Sequence, residues 1–265
     1  MSAIRISIPD LLLVYALLLV PLTITAVYRL GLLKSTVVAV VRMTIQLALV
    51  GLYLGFIFER NSLILNLVWL LVMLLVANSA ILRSAGLTRW PIFPMTLLGI
   101  AVATLSVLAV FVLGAVAPDP LYDARYLIPL GGMLLGNCMR GNIIALERFY
   151  SGIAENEREF LSYVFMGATT TEATRGFMRN ALRAALAPTV STMTTMGIVS
   201  LPGMMTGQIL GGSDPTTAIT YQLAIMVAIF TSVSLGTWLN LRLSMRWAFT
   251  DRGTLRPDLR RPSHA

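Results

Sequence analysis

The chain has 265 residues, 57% of them hydrophobic and only 12% charged, about half the charged fraction of an ordinary soluble domain. That composition excludes most soluble folds and, at about 20 residues per bilayer crossing, supplies on the order of seven membrane spans and no large enzyme domain outside them. Twenty basic residues against twelve acidic give a net charge of +8, and Lys34 is the single lysine.

The first apolar stretch runs from Leu11 to Tyr28 and is interrupted by Pro21. It lacks a clustered basic start and a small-x-small cleavage site, so it reads as a retained helix. The second runs from Thr36 to Phe58 with Arg42 and Gln46 inside it. The third, Leu63 to Leu82, and the fourth, Met95 to Ala117, contain no charge. The fifth, Tyr126 to Ala145, is rich in glycine and carries Asn137, Arg140 and Asn142. Small residues let helices approach closely, which places this segment inside a bundle. The sixth, Ala187 to Leu210, is crowded with Thr, Ser and Met and broken at Pro202-Gly203, and the seventh runs from Thr217 to Leu239.

Seven spans put the termini on opposite sides. Sorted onto alternate segments, sixteen basic residues fall on one side and three (Arg5, Arg60 and Arg125) on the other, with Arg42 in the membrane. The positive-inside bias then places the N-terminus outside and the C-terminus in the cytoplasm. The spread of arginines over four membrane-proximal segments, including Arg89, Arg252, Arg260 and Arg261, argues against nucleic-acid binding. The expected domain is a polytopic unit over residues 1–249, followed by a polar, disordered tail over 250–265.

One cytoplasmic loop is long enough to work, about residues 147–186 between spans five and six. Thr169 followed by Glu172 is a capping-box pattern, so a helix is expected to start there and run toward Pro188. Arg175, Arg179 and Arg183 recur every four residues and form one basic stripe, and the short turn at Met166-Gly167-Ala168-Thr169 makes a compact knob. The stripe reads either as a solvated membrane border or as a docking element for a cytoplasmic partner.

Catalysis by this chain finds no support. Cys138 and His264 are the only cysteine and histidine, too few for zinc, haem or iron–sulfur ligation. The lone lysine follows Leu33, so no Gly-Lys-Ser/Thr phosphate loop exists, and ATP hydrolysis would have to occur on another chain. Intramembrane polar groups point to transport instead. An arginine at the depth of Arg42 is costly and faces a bundle interior or a watery path, unless it snorkels to the nearby surface; Gln46 lies one turn on. Asn137 and Asn142 read first as bridges between helices and second as substrate contacts. Across Ser200–Gln208, Pro202 and Gly203 weaken the helix and mark a hinge or a path wall.

The run from Pro188 to Gln208 with its SLPGMMTGQIL core, followed by Tyr221-Gln222, resembles the FetB (YbbM) family of ABC-transporter permeases, which includes plant aluminium-tolerance half-transporters. Arg42 with Gln46-Leu47, Gly136-Asn137 and the Gly167-Ala168-Thr169 turn followed by Glu172-Ala173 agree with it, and the similarity extends from about Pro9 to Leu243. The resemblance implies an inner-membrane permease, paired as a homodimer with a separate cytoplasmic ATPase that binds the ATP. It also implies export, of iron in bacterial members and of a nucleotide sugar in plant relatives. The Glu-Ala-Ala docking loop of ABC importers of other families has Leu161-Ser162-Tyr163 in its place here, which weakens an importer reading. On this reading Gly167, Ala168, Thr169, Glu172, Arg175 and Arg179 dock the ATPase, Pro202 and Gly203 hinge, and Arg42, Gln46, Asn137 and Gln208 line the path. The competing reading is an ATP-independent secondary transporter or channel, disfavoured because the central spans lack acids and no internal repeat is found. A scaffold without transport is excluded by no residue.

Overall fold

The computed structural model describes residues 7–88, 92–250, 253–256 and 259. Arg5, Arg89, Arg252, Arg260, Arg261 and His264 lie outside them. The described residues form helices joined by turns, with two isolated bridges and no strand.

The helices start and stop where local chemistry dictates. Ser7 and Asp10 form a capping box on α1 (Ile8–Ala16). Pro21 lies in the first turn of α2 (Leu19–Val27), where its ring opposes the carbonyl of Leu17, and the chain breaks between α1 and α2 at Leu17-Leu18. Helix α3 (Leu33–Arg60) ends on Asn61 at φ +37°, a left-handed position that asparagine tolerates. Helix α4 spans Leu63–Ser84, and α5 (Ile92–Phe111) continues through a π turn to Val116. Asp123 caps α6 (Ala124–Glu155), and Asp214 caps α11 (Pro215–Ala248) with Pro215 at the first helical position. Between α6 and α11 lie α7 (Glu157–Phe165), α8 (Thr170–Ala173), α9 (Arg175–Thr195) and α10 (Gly203–Leu210).

Among the described residues, five helical segments are long and apolar enough to cross a membrane: Pro9–Val27, Leu33–Arg60, Leu63–Ser84, Ile92–Val116 and Pro215–Ala248. The fifth and sixth predicted spans are not among them. The fifth is part of an unbroken 32-residue α6 whose Asn, Arg and Glu residues lower its hydropathy. The sixth is not one helix, because α9 stops at Thr195 and α10 begins only at Gly203. The 147–186 loop, expected to be helical, is made of the end of α6, then α7, α8 and the first half of α9.

The core lies along α11, which packs on α5, α6 and α9, with α4 behind α5 and α6. Close approach depends on three glycines, each met by a side chain of another helix. A Cβ at Gly99 of α5 would lie 1.9 Å from Asn240 Oδ1, one at Gly141 of α6 2.6 Å from Val233, and one at Gly236 of α11 2.4 Å from Cys138 Sγ. Small residues at such seams are what let apolar helices associate where burial from water gives no drive. Polar groups then lock the register. Asn240 Nδ2 donates to Asn142 Oδ1 (2.7 Å), and Asn142 Nδ2 donates to its own helix at the Cys138 carbonyl (2.8 Å). Asn66 and Asn78, both buried on α4, donate to the carbonyls of Tyr122 and Phe93, and Asn61 Oδ1 accepts from the Ala124 amide at the start of α6.

At 1.5 Å per residue α6 and α11 are each about 50 Å long, well beyond a hydrocarbon core of about 30 Å. Their C-terminal ends, joined by α7, α8 and the start of α9, form a polar-surfaced stalk whose buried Phe149, Tyr150, Ile153, Phe160, Ala173 and Phe249 continue the main core of the bundle. Tyr150 donates to Ser244 Oγ across it (2.7 Å), and the Phe160 and Phe249 rings lie 5.6 Å apart. The described part of the tail folds back onto this stalk. Phe249 bridges Leu255, Leu259 is fully buried, its carbonyl accepts from the Thr88 amide, and the Arg256 guanidinium sits 4.9 Å over the Trp247 ring.

Helices α1 to α3 are packed very differently. α3 touches the bundle mainly near Ile57, against Ala124 and Ile128, and the apolar windows of α1–α2 and of α3 bury no residue inside the chain.

Candidate functional site

Because α3 meets the bundle near one end only, a groove opens between it and α4 and α6, with a volume of about 800 Å³. Arg42 and Gln46, one turn apart on α3, both line it. The facing walls are Trp69, Met73 and Ala77 of α4 and Gly132, Gly136 and Met139 of α6, and the Tyr53 and Trp69 rings meet at 4.1 Å between centroids with their planes tilted by 45°. Arg42 is the only charged residue of the lining.

Asn137 and Gln208 are elsewhere. Asn137 borders a separate cavity of about 150 Å³ between α6, α9 and α11, lined also by Arg140, Thr189, Thr192 and Met226. Its side-chain amide donates to the Met133 carbonyl of its own helix (2.8 Å). Gln208 is half-buried on α10, and its Oε1 is buried with no hydrogen-bond partner. The four residues expected along one path thus occupy three places.

Around the expected hinge the helix break precedes the proline. The chain leaves helix at Met196 and turns through Gly197 at φ +85°, whose amide donates to the Ser200 carbonyl. Pro202 is the N-cap residue of α10 and Gly203 its first helical residue. Ile198 and Val199 stand at the tip of the turn, 90% and 78% exposed. Gln222 of α11 donates to Met196 Sδ at 3.9 Å.

The Gly167–Glu172 segment joins two helix ends through a rigid turn. Gly167, at φ +92°, donates to the Val164 carbonyl, and the Ala168 amide donates to that of Tyr163, the paired bonds of a Schellman ending. Thr169 immediately caps α8: its backbone amide donates to Glu172 Oε2 (2.8 Å), and its Oγ1 accepts from the Glu172 amide. The hydroxyl and amide of Thr169 hold the Glu172 carboxyl below the usual carboxylate range. The predicted capping box is therefore present, but α8 lasts four residues before Thr174 interrupts it, and α9 then runs through Pro188 instead of ending near it.

Arg175, Arg179 and Arg183 are exposed along one side of α9, opposite buried Ala181 and Ala185. Beside them a groove of about 620 Å³ is lined by Arg148, Glu155, Glu159, Glu172, Phe177 and Asn180, among others. At the tip of α7, Phe165 and Met166 are 83% and 73% exposed. The α7–α8 knob is tied to the stalk through Phe160, which is buried against Phe249.

Two residues escaped the sequence reading. Asn240 lies one residue past the expected end of the last span and bonds buried Asn142. Phe165, next to the expected knob at residues 166–169, carries no motif, and only its exposure on the folded chain distinguishes it.

Residues 8–249 match the model of the Uncharacterised protein family (UPF0014). UPF0014 membrane protein slr1647 of Synechocystis is 36% identical over 196 residues, covering 74% of this chain and 76% of that protein. The Escherichia coli K12 protein named Probable iron export permease protein FetB is 31% identical over 257 residues, covering 96% and 97% of the two chains. UPF0014 membrane protein STAR2 of rice is 32% identical over 199 residues, covering 75% of this chain and 68% of its own. No solved structure matches the chain. With a family match over nearly its whole length and several helices able to cross a bilayer, the chain belongs to the UPF0014 family, that of FetB, and is a multi-pass membrane protein.

Proposed function

We propose that the chain is the transmembrane permease subunit of an ABC-type exporter of iron or another metal, energised by ATP on a separate cytoplasmic subunit. The observation that carries this reading is the end-to-end similarity to a protein named an iron export permease, joined to a packed stalk ending in a knob with exposed Phe165 and Met166. In the proposed topology the five apolar spans are supplemented by α6 and by α9 with α10. The N-terminus is then outside and the stalk and C-terminus are cytoplasmic in the inner membrane, where the basic excess belongs. Two copies pair, and the knob of each docks one ATP-binding subunit. ATP binding closes the nucleotide-bound pair, and the stalk passes that motion to α6 and α11, while the turn before Pro202 and Gly203 absorbs part of it.

The test is co-expression of the permease with candidate ABC ATP-binding subunits from the same genome, followed by affinity purification. Wild type is expected to retain the ATPase, and reversal of Arg175, Arg179 and Arg183 to Glu to reduce its recovery. Unchanged recovery together with full transport overturns the docking role of the stripe. Metal movement into everted vesicles that persists without ATP identifies a secondary carrier instead.

A further inference from the structure

We infer that the groove between α3, α4 and α6 takes its metal as an anionic organic chelate with an apolar or aromatic body, and not as a bare cation. The inference rests on the transport reading above and concerns the cargo's chemical form.

Three observations converge on this groove. First, its only charge is the Arg42 guanidinium, with the Gln46 amide one turn away. Among the described residues no carboxylate pairs with Arg42 and no hydrogen bond of the chain satisfies it. Arg42 and Gln46 are both exposed on the open side of the groove; in the proposed topology the guanidinium lies within the membrane, where a cation favours an anionic partner, and it repels a free metal ion. Second, a bare iron ion needs oxygen and nitrogen donors. The lining holds no carboxylate or imidazole, and among the described residues no group of three His, Cys, Asp or Glu exists that could hold a metal. Third, the remaining walls suit a large, polarizable body. Met43, Met73 and Met139 are adaptable thioethers, and the tilted Tyr53–Trp69 pair presents aromatic surface. Tyr53 is eleven residues along α3 from Arg42, about 16 Å on a helix, so charge recognition and apolar contact are separated along one slot. Its volume of about 800 Å³ is that of a site for a drug-sized molecule, far larger than a hydrated ion needs.

The test uses full-length permease in nanodiscs, with empty nanodiscs as the baseline, and four probes: ferrous ion alone, the anionic ferric complex of 8-hydroxyquinoline-5-sulfonate, the neutral ferric complex of 8-hydroxyquinoline, and decanoate. The sulfonated and neutral complexes share a metal and an aromatic body and differ in charge. Binding of the anionic complex is expected, with affinity falling at least tenfold in Arg42→Gln and recovering in part in Arg42→Lys, while the neutral complex binds more weakly and ignores both substitutions. Should Arg42→Gln fail to fold, as read by exposure of Cys138 to a thiol dye, Gln46→Ala is expected to weaken the anionic complex by a smaller factor. Tight binding of ferrous ion alone overturns the inference. So does indifference of the anionic complex to Arg42→Gln, and so does full competition by decanoate, which would mark the groove as a site for membrane amphiphiles. Recovery of the ATPase with the same preparations is scored separately, so a failed chelate assignment and a failed exporter assignment give different results.

Discussion

The α5–α11 contact at Gly99 offers the sharpest test of how the bundle is held. A methyl group in Gly99→Ala would lie 1.9 Å from Asn240 Oδ1 and 3.3 Å from the Asn240 backbone nitrogen, so the amide must swing away and the helices cannot simply slide. Swinging it breaks the 2.7 Å bond to Asn142. Overpacking costs about 1–3 kcal/mol. Leaving a buried amide unpaired costs a similar amount in water-soluble proteins, though interhelical bonds in membranes average nearer 0.6 kcal/mol. The expected loss is therefore about 2–4 kcal/mol, roughly 5–15 °C in melting temperature at about 2–4 °C per kcal/mol. Cys138 is the only cysteine and is fully buried, so a thiol-reactive dye reads unfolding directly. Gly136→Ala is the matched control: nothing lies within 4 Å of the added methyl, and helix propensity favours alanine by up to about 1 kcal/mol. In an Asn240→Ala background the Gly99→Ala effect should fall below about 1 kcal/mol, because the clashing amide is gone. The reasoning is refuted if Gly99→Ala melts with Gly136→Ala, or if Asn240→Ala fails to relieve it.

Three further outcomes follow from the stalk. Ser244→Ala should destabilise more than Tyr150→Phe: the first strands a buried phenol donor, at about 1–3 kcal/mol, while the second removes a bond worth about 1 kcal/mol and leaves Ser244 Oγ donating to the Leu241 carbonyl; equal melts in the thiol-dye assay would contradict this order. Phe165→Ser with Met166→Ser should leave the melt unchanged, since both residues are exposed, yet lower recovery of the ATPase in co-purification. The Glu172 carboxyl is held below its usual range by Thr169, so its contribution is complete above the ordinary carboxylate range and is lost as pH falls through the depressed value. Hydrogen exchange at the Thr169 amide should therefore lose protection on acidification in wild type and show no such step in Glu172→Gln.

Much of the helix pattern was legible because it is local. Long apolar runs announced α3, α4 and α5 to within a few residues, and Thr169 with Glu172 announced a helix start, since a cap involves only neighbours in the chain. The boundaries that slipped did so where tertiary packing outweighs local preference. α11 continues nine residues past Leu239, because Asn240, Leu241 and Ser244 are buried against α5 and α6, a reward no hydropathy window records. The sixth span divides at Met196, six residues before its proline, where Gly197 adopts a left-handed turn.

The sequence by itself determined that this is a helical, membrane-crossing chain with a basic bias, one cysteine, one histidine and a capped turn in its longest polar segment. Those properties follow from composition and from residues within a turn or two of one another. The tertiary structure decided which polar groups meet. Asn142 reaches Asn240, ninety-eight positions away, while Arg42, Asn137 and Gln208, expected together, point into separate surroundings. Helical periodicity fixes the face a residue occupies on its own helix, but the rotation and splay of that helix against its neighbours are set by how glycines, amides and bulky side chains interlock. That is why the Arg42 groove exists: α3 is anchored near Ile57 and stands away from α4 and α6 along the rest of its length.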